Sequence, residues 1–174
     1  MNKKGMGIQQ VFIFMVAAIT FSFIIIFGYS AITDFLEKGE TVEFFQFKND
    51  IESSVKKIYS EYGAVRIQEF RVPSDYQQIC LVDLDYLATA AEIESLCIKD
   101  PIACDVWQSA QPVDGSTQDS GYDSVDANVF LKPSAPVVLK VFKLEISDGY
   151  LCKNIENGRF TLRMEGRGSR TLVS

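Results

Sequence analysis

Charge is absent from residues 5–33, 29 consecutive positions, and returns at Asp34. Within Val11–Tyr29 twelve residues are Val, Ile or Phe. At about −0.3 to −0.6 kcal/mol each, they favour insertion into a bilayer by roughly 4 to 7 kcal/mol. Thr20 and Ser22 interrupt the run, but their hydroxyls can bond back to helix carbonyls. A helix over 8–32 is about 37 Å long at 1.5 Å per residue, enough to cross a hydrocarbon core of about 30 Å. A surface helix of a soluble protein needs one apolar face, whereas this segment is apolar on every face. A cleaved secretory signal has an apolar region of about 7–15 residues and a small-x-small cut site. The present run is longer, and Gly28-Tyr29-Ser30-Ala31 fits such a site poorly. We read the segment as a transmembrane anchor.

The period then changes. Phe44, Phe47, Ile51, Val55, Ile58 and Tyr62 recur at intervals of 3, 4, 4, 3 and 4, one face of an amphipathic helix. Lys48, Asp50, Glu52, Lys56 and Lys57 fill the other side. Gly39 is expected to kink or interrupt the join to the preceding helix, with Thr41 available as an N-cap and Gly63 suited to the C-terminus. The stretch 33–63 is therefore a predicted stalk helix. Its stripe packs on a downstream sheet or, in an assembly, against another subunit.

Beyond Gly63 the alternation is twofold. Val65 and Ile67 give way to Phe70 and Val72 one residue out of phase, which predicts a bulge. Pro73-Ser74-Asp75 is a turn, and 77–84 reads as a second strand. Short helices are predicted over 88–96 and from Asp100-Pro101 to about 108. Phe142, Leu144 and Ile146 alternate with charged neighbours inside a strand of about 137–147. Leu151 to Ile155 joins Arg159 to Glu165 through Asn157-Gly158, a strong hairpin signal. Phe160, Leu162 and Met164 point inward there, and Gly166-Arg167-Gly168 turns the chain into a last strand over 170–173. The prediction is an α+β fold: a transmembrane helix and amphipathic stalk helix, then a small antiparallel β-rich head over 64–174.

Composition narrows the function. The 174 residues are 47% hydrophobic and 23% charged, enough for a packed core. With 17 basic and 23 acidic residues the net charge is −6, which argues against a nucleic-acid partner. There is no histidine, so the commonest general base and metal ligand is missing. Lys3 and Lys4 precede the apolar run, and Asp34 and Glu37 come before Lys38 on the other flank. The positive-inside rule then puts the N-terminus in the cytoplasm and the head outside.

Lys3-Lys4-Gly5 followed at once by a long apolar helix resembles the class III signal peptide of archaeal type IV pilin-like proteins. The resemblance covers about the first 35 residues and makes 1–7 a short basic leader. It implies that a prepilin peptidase cuts between Gly5 and Met6 on the cytoplasmic side. The helix then remains as anchor or filament core. Gln10 stands where many members carry glutamate five residues past the cut, a departure that bears on filament assembly more than on anchoring. An uncleaved anchor is the alternative.

The four cysteines, Cys80, Cys97, Cys104 and Cys152, suggest two disulfides in an extracytoplasmic head, with three possible pairings. Cys97 with Cys104 across the Asp100-Pro101 turn, and Cys80 with Cys152 between strands, is the favoured set. Spacing alone leaves four reduced core cysteines open. A four-cysteine zinc site usually brings its ligands in close pairs, and none are present here. The polar stretch 109–128 holds Asp114, Asp119, Asp123 and Asp126 with no basic residue. It lacks the alternating carboxylates of a calcium loop and is expected to be a solvated, mobile loop. Asp83 and Asp85 would share a strand face and are expected to be solvent-exposed. Gly166-Arg167-Gly168 lacks the strand-to-helix context of a phosphate loop. Trp107 reads as core, and no Asn-x-Ser/Thr occurs.

No enzyme activity, cofactor or metal is expected. The leading expectation is a single-pass structural or adhesive membrane protein, pilin-like, whose partners are the bilayer, a prepilin peptidase and further copies of itself. The alternative is a non-filament membrane protein whose head binds a protein partner or membrane complex. A tethered hydrolase using Asp83 or Asp85 is a distant third.

Overall fold

The uncharged run forms the start of one helix, α1, Ile8–Tyr59. The computed structural model describes residues 8–112 and 121–174, and their side chains except at 8–10 and 30–40. The leader with Lys3, Lys4 and the processing pair Gly5 and Met6 lies outside the described residues. So do Asp114 and Asp119, and the side chains of Gln10, Asp34, Glu37 and Lys38. The chain divides into two units, Met1–Val42 and Glu43–Ser174. α1 is helical through Gly39 and Thr41, so the expected interruption with a new N-cap does not occur. A glycine inside a helix costs only about 1 kcal/mol relative to alanine, too little to end a long helix unaided.

In the first unit, Val11–Tyr29 has a mean hydropathy of 2.7 and no buried residue. The hydroxyls of Thr20 and Ser22 are satisfied within the helix. The Thr20 hydroxyl donates to the carbonyls of Val16 and Ala17 at 3.0 and 2.9 Å, and that of Ser22 to Ala18 at 2.9 Å.

In the second unit, α1 contributes Phe44, Phe47, Ile51, Val55 and Ile58, all buried. Tyr62, the expected sixth member of the stripe, is 81% exposed. The helix ends at Tyr59, and Gly63 at φ 76° turns the chain away. The elements that follow are β1 (Val65–Arg71), β2 (Gln78–Val82), α2 (Ala90–Lys99), α3 (Pro101–Ala110), a 3-10 turn (Gly121–Ser124), β3 (Val129–Lys132), β4 (Leu144–Glu145), β5 (Tyr150–Asn154), β6 (Arg159–Gly166) and β7 (Thr171–Val173). They build two sheets, ordered β1-β6-β7-β4 and β3-β2-β5. Among the described residues all strand pairings are antiparallel except β4 with β7.

β2 explains the layering. Its residues Ile79 to Val82 are all buried, as in a strand covered on both faces. Ile79 and Leu81 join the core formed by α1 and both sheets. Cys80 and Val82 face a second core with Leu96, Cys104 and Trp107 of α2 and α3. α2 starts with a capping box in which Thr89 and Glu92 bond each other's backbone N–H, and α3 with Asp100, which accepts from Ile102 and Ala103 N–H at 3.0 Å. β6 ends against the end of α1: a Cβ on Gly166 would run into the carbonyl oxygens of Ile58 and Glu61.

Four expectations about strands are corrected. The register of β1 on β6 runs unbroken from Val65–Glu165 to Arg71–Arg159, so there is no bulge. Instead Val65 and Ile67 face solvent and Phe70 faces the core. The expected strand 137–147 shrinks to β4, with Leu139 bridged to Val129. The turn at Asn157-Gly158 forms, with φ 52° and 68°. Its two strands, however, go to different sheets, joined only by the Glu156–Arg159 bridge. β6 is flanked on its two sides by β1 and β7, and β5 pairs with β2 instead. β3 has no counterpart in the predicted strands.

Candidate functional site

The predicted second strand ends at Val82, two residues before its expected limit, and this redirects Asp83 and Asp85. They lie in the turn that follows, beside Tyr86, Glu145, Ser147 and Arg170, in a cleft of about 640 Å³. Asp83 is 3% exposed, against the expectation of a solvated pair. Its Oδ1 accepts from Asp85 N–H at 3.1 Å and its Oδ2 from Ile146 N–H at 3.3 Å. Asp85 accepts from Tyr122 N–H at 2.9 Å, and its other oxygen lies 3.8 Å from Lys143 Nζ. The turn thus needs two acceptors for backbone N–H groups that no strand supplies. One aspartate ties the end of β2 to the end of β4, and the other ties it to the 3-10 turn. Both carboxylates hold backbone in place.

Burial pushes the Asp83 carboxyl above its ordinary value near 3.8, opposed by the two N–H bonds and by Arg170. A raised pKa means that the folded state holds the proton more tightly than the unfolded one. The stability this contributes is complete below 3.8 and is lost as pH rises through the raised value. Asp83→Asn cannot ionise, so stepwise urea unfolding from low to neutral pH should show wild type losing ground to the variant. A difference that is flat with pH means that the N–H bonds balance burial, and one of opposite slope that they outweigh it.

The remaining candidates fall elsewhere. Cys80 is bonded to Cys152 across the paired strands β2 and β5, with Cα atoms 4.0 Å apart. Cys97 is bonded to Cys104, joining α2 to α3 at 4.9 Å. No free cysteine occurs among the described residues. Of the stretch 109–128, residues 113–120 lie outside the described residues; Asp123 and Asp126 are exposed, while its C-terminal end is packed. Gly121, Ala127 and Asn128 are buried, and the Asn128 amide exchanges two hydrogen bonds with the Val141 backbone at 2.8 and 3.0 Å. Asn128 was not singled out in the sequence, where nothing separates a buried asparagine from the polar run around it. Thr89-x-x-Glu92 did carry a readable capping signal. Trp107 is fully buried, and its Nε1 donates to the Asp83 carbonyl at 3.1 Å. Of Gly166-Arg167-Gly168, Gly166 is the last residue of β6 and the other two lead toward β7. Among the described residues no three His, Cys, Asp or Glu side chains gather as a metal site.

A groove of about 150 Å³ runs along β3, lined by Ile102, Val129, Phe130, Leu131, Val137 and Val138.

No protein-family model, curated protein or solved structure matches this chain.

Function therefore rests on the chemistry of its two units.

Proposed function

We propose that the chain is a single-pass membrane protein in which residues 8–32 anchor a disulfide-bonded extracytoplasmic head. The head has a structural or adhesive, pilin-like role. The observation that carries this is Val11–Tyr29: nineteen helical residues, none buried, with Thr20 and Ser22 bonded back to their own helix. In hydrocarbon polar groups must find their partners internally, as the hydroxyls of Thr20 and Ser22 do. The two disulfides suit an oxidising compartment, and Lys3 and Lys4 put the N-terminus in the cytoplasm. Removal of the leader after Gly5 by a prepilin peptidase belongs to this reading. The alternative, a non-filament membrane protein whose head receives a partner, draws support from the apolar groove along β3. In neither reading is the chain an enzyme or a cofactor protein.

Ile19, 56% exposed in mid-span, is the position to test. Ile19→Lys should cost about 2.5–3.5 kcal/mol of insertion plus the lost isoleucine, moving the protein into the carbonate-soluble fraction. Retention in the membrane pellet would mean that the span is misplaced. Intact mass of the membrane-extracted protein separates the two roles. A chain starting at Met6 favours the pilin-like one, and a chain that keeps Lys3-Lys4-Gly5 favours the plain anchor.

A further inference from the structure

β1 is the outer strand of the order β1-β6-β7-β4. Its hydrogen-bonding parity can be read from its two ends. Gly166 N–H donates to the Ala64 carbonyl and Val72 N–H to that of Gly158, both at 2.9 Å. In an antiparallel ladder only alternate residues bond the neighbouring strand. The even residues of β1 therefore face β6, and the N–H and C=O of Val65, Ile67, Glu69 and Arg71 point off the free edge. Among the described residues no other backbone group bonds them. No proline, glycine or bulge interrupts this seven-residue edge; of the devices that usually blunt an edge it carries only charged side chains, Arg66, Glu69 and Arg71. Ile67 is 73% exposed and Val65 47%.

We propose that β1 is a self-association edge: two copies pair antiparallel through β1 about a twofold axis at Gln68, joining two four-stranded sheets into one. This goes beyond the anchoring reading and does not depend on it. An antiparallel edge is complementary to itself under a twofold rotation, so a second copy satisfies the whole row. With the axis at Gln68, Val65 faces Arg71 of the second copy and Ile67 faces its Glu69. All four outward residues on each strand are then used.

Charge selects this register. On β6, Val65 is paired with Glu165 and Ile67 with Arg163. Across the new sheet the rows read Glu165, Val65, Arg71 of the second copy, and Arg163, Ile67, Glu69 of the second copy. Each exposed apolar side chain is flanked by opposite charges two strand spacings apart, about 9.5 Å, within reach of long side chains folding over it. A shift of the axis to Ile67 puts Glu165 in a row with Glu69 of the second copy. A shift to Glu69 sets two glutamates face to face. Both are disfavoured by like-charge repulsion.

A thiol on the axis tests the proposal in the full-length protein in detergent micelles. Gln68→Cys places two cysteines in a pair about 4.5 Å apart at Cα, within disulfide reach, and mild oxidation should give a reductant-sensitive dimer. Arg66→Cys, which faces Phe70 of the second copy, should give none. Ile67→Pro, added to Gln68→Cys, removes an outward N–H and spares the bonds to β6, so the cross-link should disappear. Arg71→Glu in the same background should also abolish it, and a further Glu165→Arg should restore it. If Ile67→Pro unfolds the chain, the charge reversal and its rescue decide. No cross-link at position 68, an equal one at 66, or one indifferent to Arg71→Glu overturns the proposal. Carbonate extraction of the same variants reports anchoring separately, so the two readings fail independently.

Discussion

Alanine at both Cys80 and Cys152 is expected to lower stability by roughly 4 kcal/mol. The bond closes a loop of 72 residues, and the entropy that a cross-link removes from the unfolded chain grows with the logarithm of loop length. Cys97 and Cys104, seven residues apart, should be worth only about 2.5 kcal/mol on the same account. The larger bond also joins two paired strands at the boundary between the cores, where Cys80 is fully buried. Alanine is preferred to serine because a buried hydroxyl without a partner adds its own desolvation cost. Trp107 is the only tryptophan, so its fluorescence follows urea unfolding of this unit. A loss no greater than that for Cys97 and Cys104 would mean that loop closure does not govern the ranking.

Trp107→Ala should cost about 3–5 kcal/mol, the usual range for deleting a large buried aromatic side chain. The ring is fully buried against Tyr86 and Tyr150, with centroids at 6.3 and 5.8 Å, and Nε1 bonds the Asp83 carbonyl. The site has little room to close over the cavity. Gly149 is held at φ 75° with its Cα against the indole, where an added Cβ would fall 2.6 Å from Trp107 Cζ2. Trp107→Phe keeps most of the packing and loses the hydrogen bond, so it should cost less, about 1–2 kcal/mol. Circular dichroism during urea unfolding measures both. Equal losses for the two variants would assign the stabilisation to the bond rather than to the ring.

Much of the second unit was legible where the signal is local. The apolar stripe of Phe44, Phe47, Ile51, Val55 and Ile58 is buried as its spacing requires. Asp100-Pro101 starts a helix because an aspartate cap and a proline at the first helical position act within one turn. Asn157-Gly158 turns because both residues tolerate positive φ. What failed was pairing. Val65 and Ile67 look like core residues along the chain. They face solvent because the register with β6 puts Phe70 inside, and periodicity cannot show which of two phases the sheet will bury. Asp83 and Asp85 depart from expectation for a different reason, because β2 ends before them. Where β2 stops depends on Asn128, Gly149 and Ile146, all distant in sequence.

The sequence alone therefore determined the uncharged helix, the amphipathic face that follows it, the caps and the tight turn. Each depends on residues within a few positions of one another. Only the tertiary structure decided that β5 and β6 separate into two sheets, that β2 is buried on both faces, and that Asp83 turns inward. Those outcomes depend on competition between partners far apart along the chain, and the winner is the strand that buries more surface and satisfies more backbone groups.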